Sequence, residues 1–282
     1  MRIACLGLSL SLSMTAPVFA GQIPATAQPQ REIIIHGEAR KAIAHFVDLL
    51  TEVGPNDQIA RWNREICPQV IGIDPAQADF MRQRIGDVAR PLRLRLGKTG
   101  CTSTFAVIVT PDAAGTVAEL VRRYPVTLQT DGRPRLKAFA ASSDAVRWIS
   151  VTDECGAAPM GICVLPGTRL NKATEPAFRA LLVVVDAKQI SRFSLGELSD
   201  FIALVGLSNP PPLSSDRDDT ILSMFVRPRQ GDAAFELTRR DRSFLAALYH
   251  APIDAGSSSQ RSAIASEMRR GAGRDRKEAD QK

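Results

Sequence analysis

Apolar residues recur along the chain with two different periods, and the switches between them mark out its elements. Ile43, Phe46, Val47 and Leu50 stand at helical spacing, and Gly54-Pro55 stops that run. Just before it, Ile33, Ile34 and Ile35 between Glu32 and His36 form a β-branched run that predicts a short strand. Ile66 to Gly72 reads as a strand entering a turn. Asp74-Pro75 then has the N-cap and N1 chemistry of a helix start, and the buried stripe of that helix would be Ala78, Met81, Ile85 and Val88. Leu92, Leu94 and Leu96 alternate with period two and predict another strand. Thr104 to Val109 is a nearly continuous apolar strand ended by Pro111, and a helix follows over Ala113 to Arg123. Strands alternating with helices make this part of the chain α/β or α+β.

Tyr124 to Lys172 is rich in turn residues and predicts no regular element. Leu181 to Val185 is the most apolar strand, followed by a helix over Leu195 to Val205 and the breaker Asn209-Pro210-Pro211-Pro212. Ile221 to Phe225 is a short apolar piece. Thr238 and Asp241, three residues apart, cap a helix carrying Phe244, Leu245, Leu248 and Tyr249. A last helix from Gly256 through Arg270 runs into a charged tail. The expected fold is α+β, a small mixed sheet with packed helices.

Composition narrows the chemistry. Of 282 residues, 44% are hydrophobic and 23% charged, as in ordinary globular proteins, while 5% aromatics make the core aliphatic. Three histidines, His36, His45 and His250, leave little material for a histidine-built metal site. Arg2, the apolar stretch Ile3 to Thr15 and the small-residue boundary at Ala20 read as a secretory leader. That stretch is shorter than the roughly 18–20 residues of a membrane span, and no other segment approaches it, so the chain is read as not membrane-spanning.

Loss of the leader would remove Cys5 and leave Cys67, Cys101, Cys155 and Cys163, an even set in a chain bound for an oxidising compartment. Four cysteines allow three pairings. Cys67–Cys101 and Cys155–Cys163 are favoured, the second closing a short loop. No C-x-x-C spacing suggests zinc.

Residues 181–250 resemble an uncharacterised family of exported bacterial proteins, itself similar to metzincin zinc proteases with a worn active site. The resemblance rests on the strand Leu181–Asp186, the helix from Ser194 to Leu207 containing Gly196, Glu197 and Asp200, the Ser223-Met224-Phe225 segment, and Thr238 to Tyr249. Arg61-Trp62, Cys67-Pro68 with Val70 and Gly72, and Gly100-Cys101 look like the same family. An active protease helix would read H-E-x-x-H-x-x-G-x-x-H above a methionine turn. Alignment on Glu197 puts Gly196 and Asp200 where the first two histidines belong, Gly206 at the third, and Ala203 at the glycine. Two glycines and one aspartate do not make a zinc site. Ser194 and Glu197 instead form a capping box, and Met224 is read as a core methionine.

Residues 1–20 are read as leader, 21–31 as linker, 32–125 as an N-terminal α/β region and 256–282 as a charged tail, and the resemblance makes 126–255 a degenerate protease-like region. The leader predicts a periplasmic or secreted protein, and the resemblance implies a non-catalytic one that binds a peptide or an anionic cell-envelope component and needs no cofactor. The alternative is an envelope hydrolase using Glu197 or Asp200 with groups from elsewhere. Nucleotide-binding and lipase-type fingerprints are absent. Asp216, Asp218 and Asp219 fail the calcium-loop pattern and read as a solvated loop. The basic stretch Arg84, Arg90, Arg93, Arg95 and Lys98 reads as a solubilising face, not a nucleic-acid site, and Trp62 and Trp148 as core fillers.

Overall fold

A computed structural model describes residues 28–51, 57–129, 133–154, 174–212, 220–226 and 234–279. The chain divides into two units, Met1–Glu38 and Ala39–Lys282. Of the first unit only the helical backbone from Gln28 is described. The leader, Cys155, Cys163 and the acidic residues Asp216, Asp218 and Asp219 lie outside the described residues.

Helix α1 covers Gln28–Leu50, β1 Pro68–Ile71, α2 Pro75–Ala89 and β2 Phe105–Thr110. They are followed by α3 (Ala113–Arg123), α4 (Arg133–Ala141), β3 (Val146–Asp153), β4 (Ala177–Asp186), α5 (Leu195–Ser208), α6 (Arg239–His250) and α7 (Ser257–Ala279). The strands form one mixed sheet in the order β1-β2-β4-β3. β1, β2 and β4 run parallel, with Val107 beside Val70 on one side and Val183 on the other; β3 runs antiparallel to β4, with Trp148 opposite Val183. The α+β class and small mixed sheet are therefore as the sequence leads one to expect.

Alternation along the strands divides the apolar side chains between two faces. Phe105, Val107 and Val109 join Leu181, Val183, Val185 and Trp148 in the main core with residues of α2 and α5. Ile149 and Val184 point the other way, into a smaller cluster with Val117 of α3 and Leu136 and Phe139 of α4. Both faces are thus covered, which is what a parallel pair of apolar strands requires.

Several local predictions hold for the reason given. Asp74 caps α2 by accepting from the Ala76 amide, with Pro75 in the first turn. Thr238 and Asp241 form the capping box of α6. The chain turns after β1 at Gly72, where φ is 89° and a Cβ would stand 1.9 Å from the Val109 carbonyl oxygen. Only glycine fits that turn.

Others are corrected. Residues 32–36 are helical, part of α1, and α1 also begins inside the expected linker. Three β-branched residues without a partner strand yield to the helix that continues through Leu50, because β preference depends on what the strand pairs with. Leu92, Leu94 and Leu96 form no strand: Arg90–Leu92 is a 3-10 turn, Arg93 has a φ of 63°, and Leu96 makes one isolated bridge to Ile66. Their period of two survives because all three lean half-buried on the core. The supposedly turn-rich segment holds α4 and β3. Arg147, Trp148 and Ser150 interrupt the apolar run of β3 and hide it.

The disulfide Cys67–Cys101 is formed, across a sequence separation of 34 residues. It ties the entrance of β1 to the loop before β2, where the Cys67 carbonyl already accepts from the Thr104 and Phe105 amides. Closing a loop of that length restricts the unfolded chain by an amount equivalent to about 3–4 kcal/mol. Replacing both cysteines by serine should lower the unfolding free energy by about that amount in urea titrations, with the far-ultraviolet circular dichroism retained.

Candidate functional site

Every residue of α5 from Glu197 to Ser208 is buried. A helix enclosed on all sides must satisfy its polar side chains from within the protein. Ser199 and Ser208 do so locally, donating to the Leu195 and Leu204 carbonyls. Glu197 and Asp200 reach further.

Ser194 caps α5: its hydroxyl accepts from the Glu197 amide, and Glu197 Oε2 accepts from the Ser194 amide at 2.6 Å. The other oxygen, Oε1, accepts from the Phe235 amide at 2.8 Å. One carboxylate thus closes the helix and holds a chain segment 38 residues away. Asp200 is 1% exposed and takes a two-pronged ion pair from Arg84 of α2, Nε at 2.5 Å and Nη2 at 2.9 Å. Its Oδ2 also accepts from the Leu237 amide at 3.3 Å. Hydrogen bonding to Asp200 holds the Arg84 guanidinium above its ordinary range. Both carboxylates therefore anchor the strip 235–237 that leads into α6.

Asp241 repeats the pattern at the start of α6. It is fully enclosed, and Oδ2 accepts from the Thr238 amide at 3.0 Å and the Ile221 amide at 2.9 Å. Burial pushes its pKa up, and hydrogen bonds from Thr220 and Thr238 only partly offset this. Met224, in the 3-10 turn Ile221–Phe225, is wholly buried, and that turn lies against α5 through Phe225, whose ring is 4.9 Å from that of Phe201.

Arg61 and Trp62, the pair noted in the sequence, hold two helix ends, Trp62 with Tyr249 that of α5 and Arg61 that of α6. The Trp62 indole N–H donates to the Gly206 carbonyl at 2.7 Å, and the Tyr249 hydroxyl donates to the Leu207 carbonyl at 2.8 Å. Arg61 donates to the Leu248 carbonyl at 2.5 Å. Burial pushes the Arg61 guanidinium down and the Tyr249 phenol up, so the phenol stays a donor across the physiological range. Trp62 and Trp148 are both core residues.

The three positions aligned with protease histidines do not converge. Gly196 and Asp200, four apart, lie on one side of the helix; Asp200 meets Arg84 of α2, and a Cβ at Gly196 would have only the Ser194 hydroxyl within 4 Å. The helix continues unbroken through Ala203, so Gly206, six residues past Asp200, is rotated by about 120° and displaced about 9 Å along the axis. It faces β2, where a Cβ would lie 2.1 Å from the Phe105 ring. No side chain fits there. His45 and His250 are exposed. Among the described residues no group of three or more histidine, cysteine, aspartate or glutamate side chains is placed to hold a metal ion.

Sequence reasoning missed Arg84 as the partner of Asp200, having seen it only within a basic stretch. The two are 116 residues apart and no local pattern links them. It also missed the second duty of Asp241, on the Ile221 amide.

The partners of the ion pair differ in exposure, so their removal should differ in cost. The Arg84 side chain is 37% exposed, and Asp200 is enclosed. Arg84→Ala strands a buried carboxylate and should cost about 3 kcal/mol, whereas Asp200→Ala frees an arginine that regains water and should cost about 1–2 kcal/mol. Urea denaturation of the two variants measures the asymmetry. Asp241 adds a pH dependence. Its folded pKa lies above the ordinary aspartate value of 3.8, so the folded state holds the proton more tightly. The associated stability is present below that value and is lost as pH rises through the folded pKa. Asp241→Asn should therefore gain on the native protein as pH rises from 3.8 through the folded pKa, read as diverging urea midpoints.

Comparison of the chain with protein-family models, curated proteins and solved structures finds no match.

Proposed function

We propose that the chain is an exported, non-catalytic binding protein, periplasmic or secreted, and that α5 is a worn zinc-protease helix converted to structural work. The observation that carries this reading is the commitment of Glu197 and Asp200. Every oxygen of the two carboxylates accepts from a backbone amide or from Arg84. A general base needs a lone pair directed at substrate or water, and these point into the protein. The glycines at 196 and 206 offer no ligand atoms, and the close approach of Gly206 to Phe105 supports a helix adapted to pack.

The Cys67–Cys101 disulfide supports export, because such a bond persists in an oxidising compartment. No helix among the described residues is long and apolar enough to cross a membrane. The leader at residues 1–20 would deliver the chain, and a peptide or anionic envelope component is the ligand class we assign.

The test is made on protein expressed with its own leader and recovered from the periplasm. Intact mass should show loss of the first 20 residues, and the product should neither retain stoichiometric zinc nor cleave casein or a peptide library. Cleavage abolished by a chelator would overturn the reading in favour of a zinc protease. Cleavage that survives a chelator but is lost in Glu197→Gln or Asp200→Asn would support the hydrolase alternative.

A further inference from the structure

Among the described residues five large apolar side chains stand well exposed, Ile71, Phe80, Tyr124, Val126 and Val226. Two of them share one turn. Tyr124, Pro125 and Val126 follow the last turn of α3, and all three are exposed, Val126 to 81% and Tyr124 to 47%. Single exposed apolar residues are ordinary, but a run of three in water is a fault unless something uses it.

The turn is not a fraying end. The Tyr124 amide donates to the Leu120 carbonyl at 2.9 Å and closes α3, and the Tyr124 carbonyl accepts from the Leu128 amide at 3.1 Å. Leu128, in the 3-10 turn Thr127–Gln129, is buried in the smaller core cluster with Val117 of α3 and Leu136 and Phe139 of α4. Both ends of the loop are tied down, and Val126 is held out at its crest.

The charge beside the crest is basic. Arg122 and Arg123 stand in the last turn of α3. Arg122 is answered by Glu119, Nη2 to Oε1 at 2.6 Å. Arg123 leans on the Tyr124 ring, its guanidinium carbon 5.9 Å from the centroid, and no carboxylate among the described residues pairs with it. On the adjoining α4, Leu136 and Phe139 turn into the cluster while Lys137 is exposed.

Three side chains offer far less area than the roughly 800 Å² that each partner buries in a stable protein contact. A bilayer sets no such minimum. An aliphatic side chain enters the acyl boundary, a tyrosine rests at headgroup level with its hydroxyl in water, and an arginine meets lipid phosphate. We propose that the turn Tyr124–Val126, with Arg123 beside it, is a docking point for an anionic phospholipid bilayer. This names the envelope component in the binding reading above, and rests on that reading only for where such a bilayer is met.

The experiment uses the mature chain from Gly21 and vesicles of phosphatidylcholine, alone or mixed with phosphatidylglycerol, collected by sedimentation. The protein should sediment with the mixed vesicles and not with phosphatidylcholine alone, and added salt should weaken the binding. Val126→Asp should weaken it about tenfold, the worth of burying a valine side chain, and Arg123→Gln about fivefold. Phe80→Ser, which removes an exposed apolar residue from α2, should leave it unchanged. Val126 and Arg123 are exposed, so both variants should fold, which circular dichroism checks. In Val126→Trp the added indole should emit at shorter wavelength on the mixed vesicles, over the constant background of the buried Trp62 and Trp148. No sedimentation with mixed vesicles, equal sedimentation with phosphatidylcholine alone, or unchanged binding by folded Val126→Asp would overturn the proposal. Self-association lost in Val126→Asp, without vesicle binding, would put a second copy on the turn and overturn it as well. An uncleaved leader would sink the export reading and leave vesicle binding untouched, so the two failures are distinguishable.

Discussion

The burial of α5 is the constraint from which most of the structure follows. A helix enclosed from Glu197 to Ser208 has no water to satisfy its side chains, so each polar group on it dictates a neighbour. Glu197 requires the Phe235 amide, Asp200 requires Arg84 and the Leu237 amide, and the Gly206 carbonyl takes the Trp62 indole. These demands set where α2, the strip before α6, and the Arg61-Trp62 segment must lie. The sheet supplies the floor. Gly206 allows α5 to approach β2 until the Phe105 ring occupies the place of a side chain.

Carboxylates suited to catalysis and carboxylates suited to anchoring are chemically the same group, and geometry separates the roles. A catalytic carboxylate keeps a lone pair free for substrate; an anchoring one spends its oxygens on N–H donors that the fold brings to it. Glu197 and Asp200 are of the second kind, and Asp241 anchors through Oδ2 alone, its Oδ1 being buried without a hydrogen-bond partner. Glu197 and Asp241 lie in the first turn of their helices, where negative charge is favoured, and all three secure a segment distant in sequence. The same three groups therefore account for helix starts and for the tertiary path between α5 and α6.

What could be read in advance was what short stretches of chain determine. The caps at Asp74, Ser194 and Thr238 depend on residues within three positions, and all are formed. β2 and β4 are apolar because both their faces are covered, which leaves a run visible without any partner. The pairing of Cys67 with Cys101 was favoured among three possibilities. Where the outcome depends on a distant partner, local pattern misled or was silent. The isoleucines of 33–35 had no strand to pair with and joined a helix. Arg93 broke the alternation of Leu92 to Leu96. The charge on Asp200 is answered by an arginine in another helix. β3 was hidden because an edge strand can carry Arg147 and Ser150 among its apolar residues.

That edge position also explains why Arg147 differs from the other enclosed arginines. Arg61 sits where chain segments cross, and carbonyls are at hand; Arg84 lies on α2 facing the carboxylate of α5. β3 pairs only with β4 in the sheet order, and β4 offers Val184 opposite Arg147. An aliphatic neighbour cannot accept a hydrogen bond. The guanidinium must look past the sheet, toward α4 and the turn at Ser142 to Asp144, where the single carboxylate is already bonded to Ser142. The position of β3 at the sheet edge thus leaves one N–H of Arg147 without an acceptor among the described residues, whereas every carboxylate oxygen of α5 has a donor.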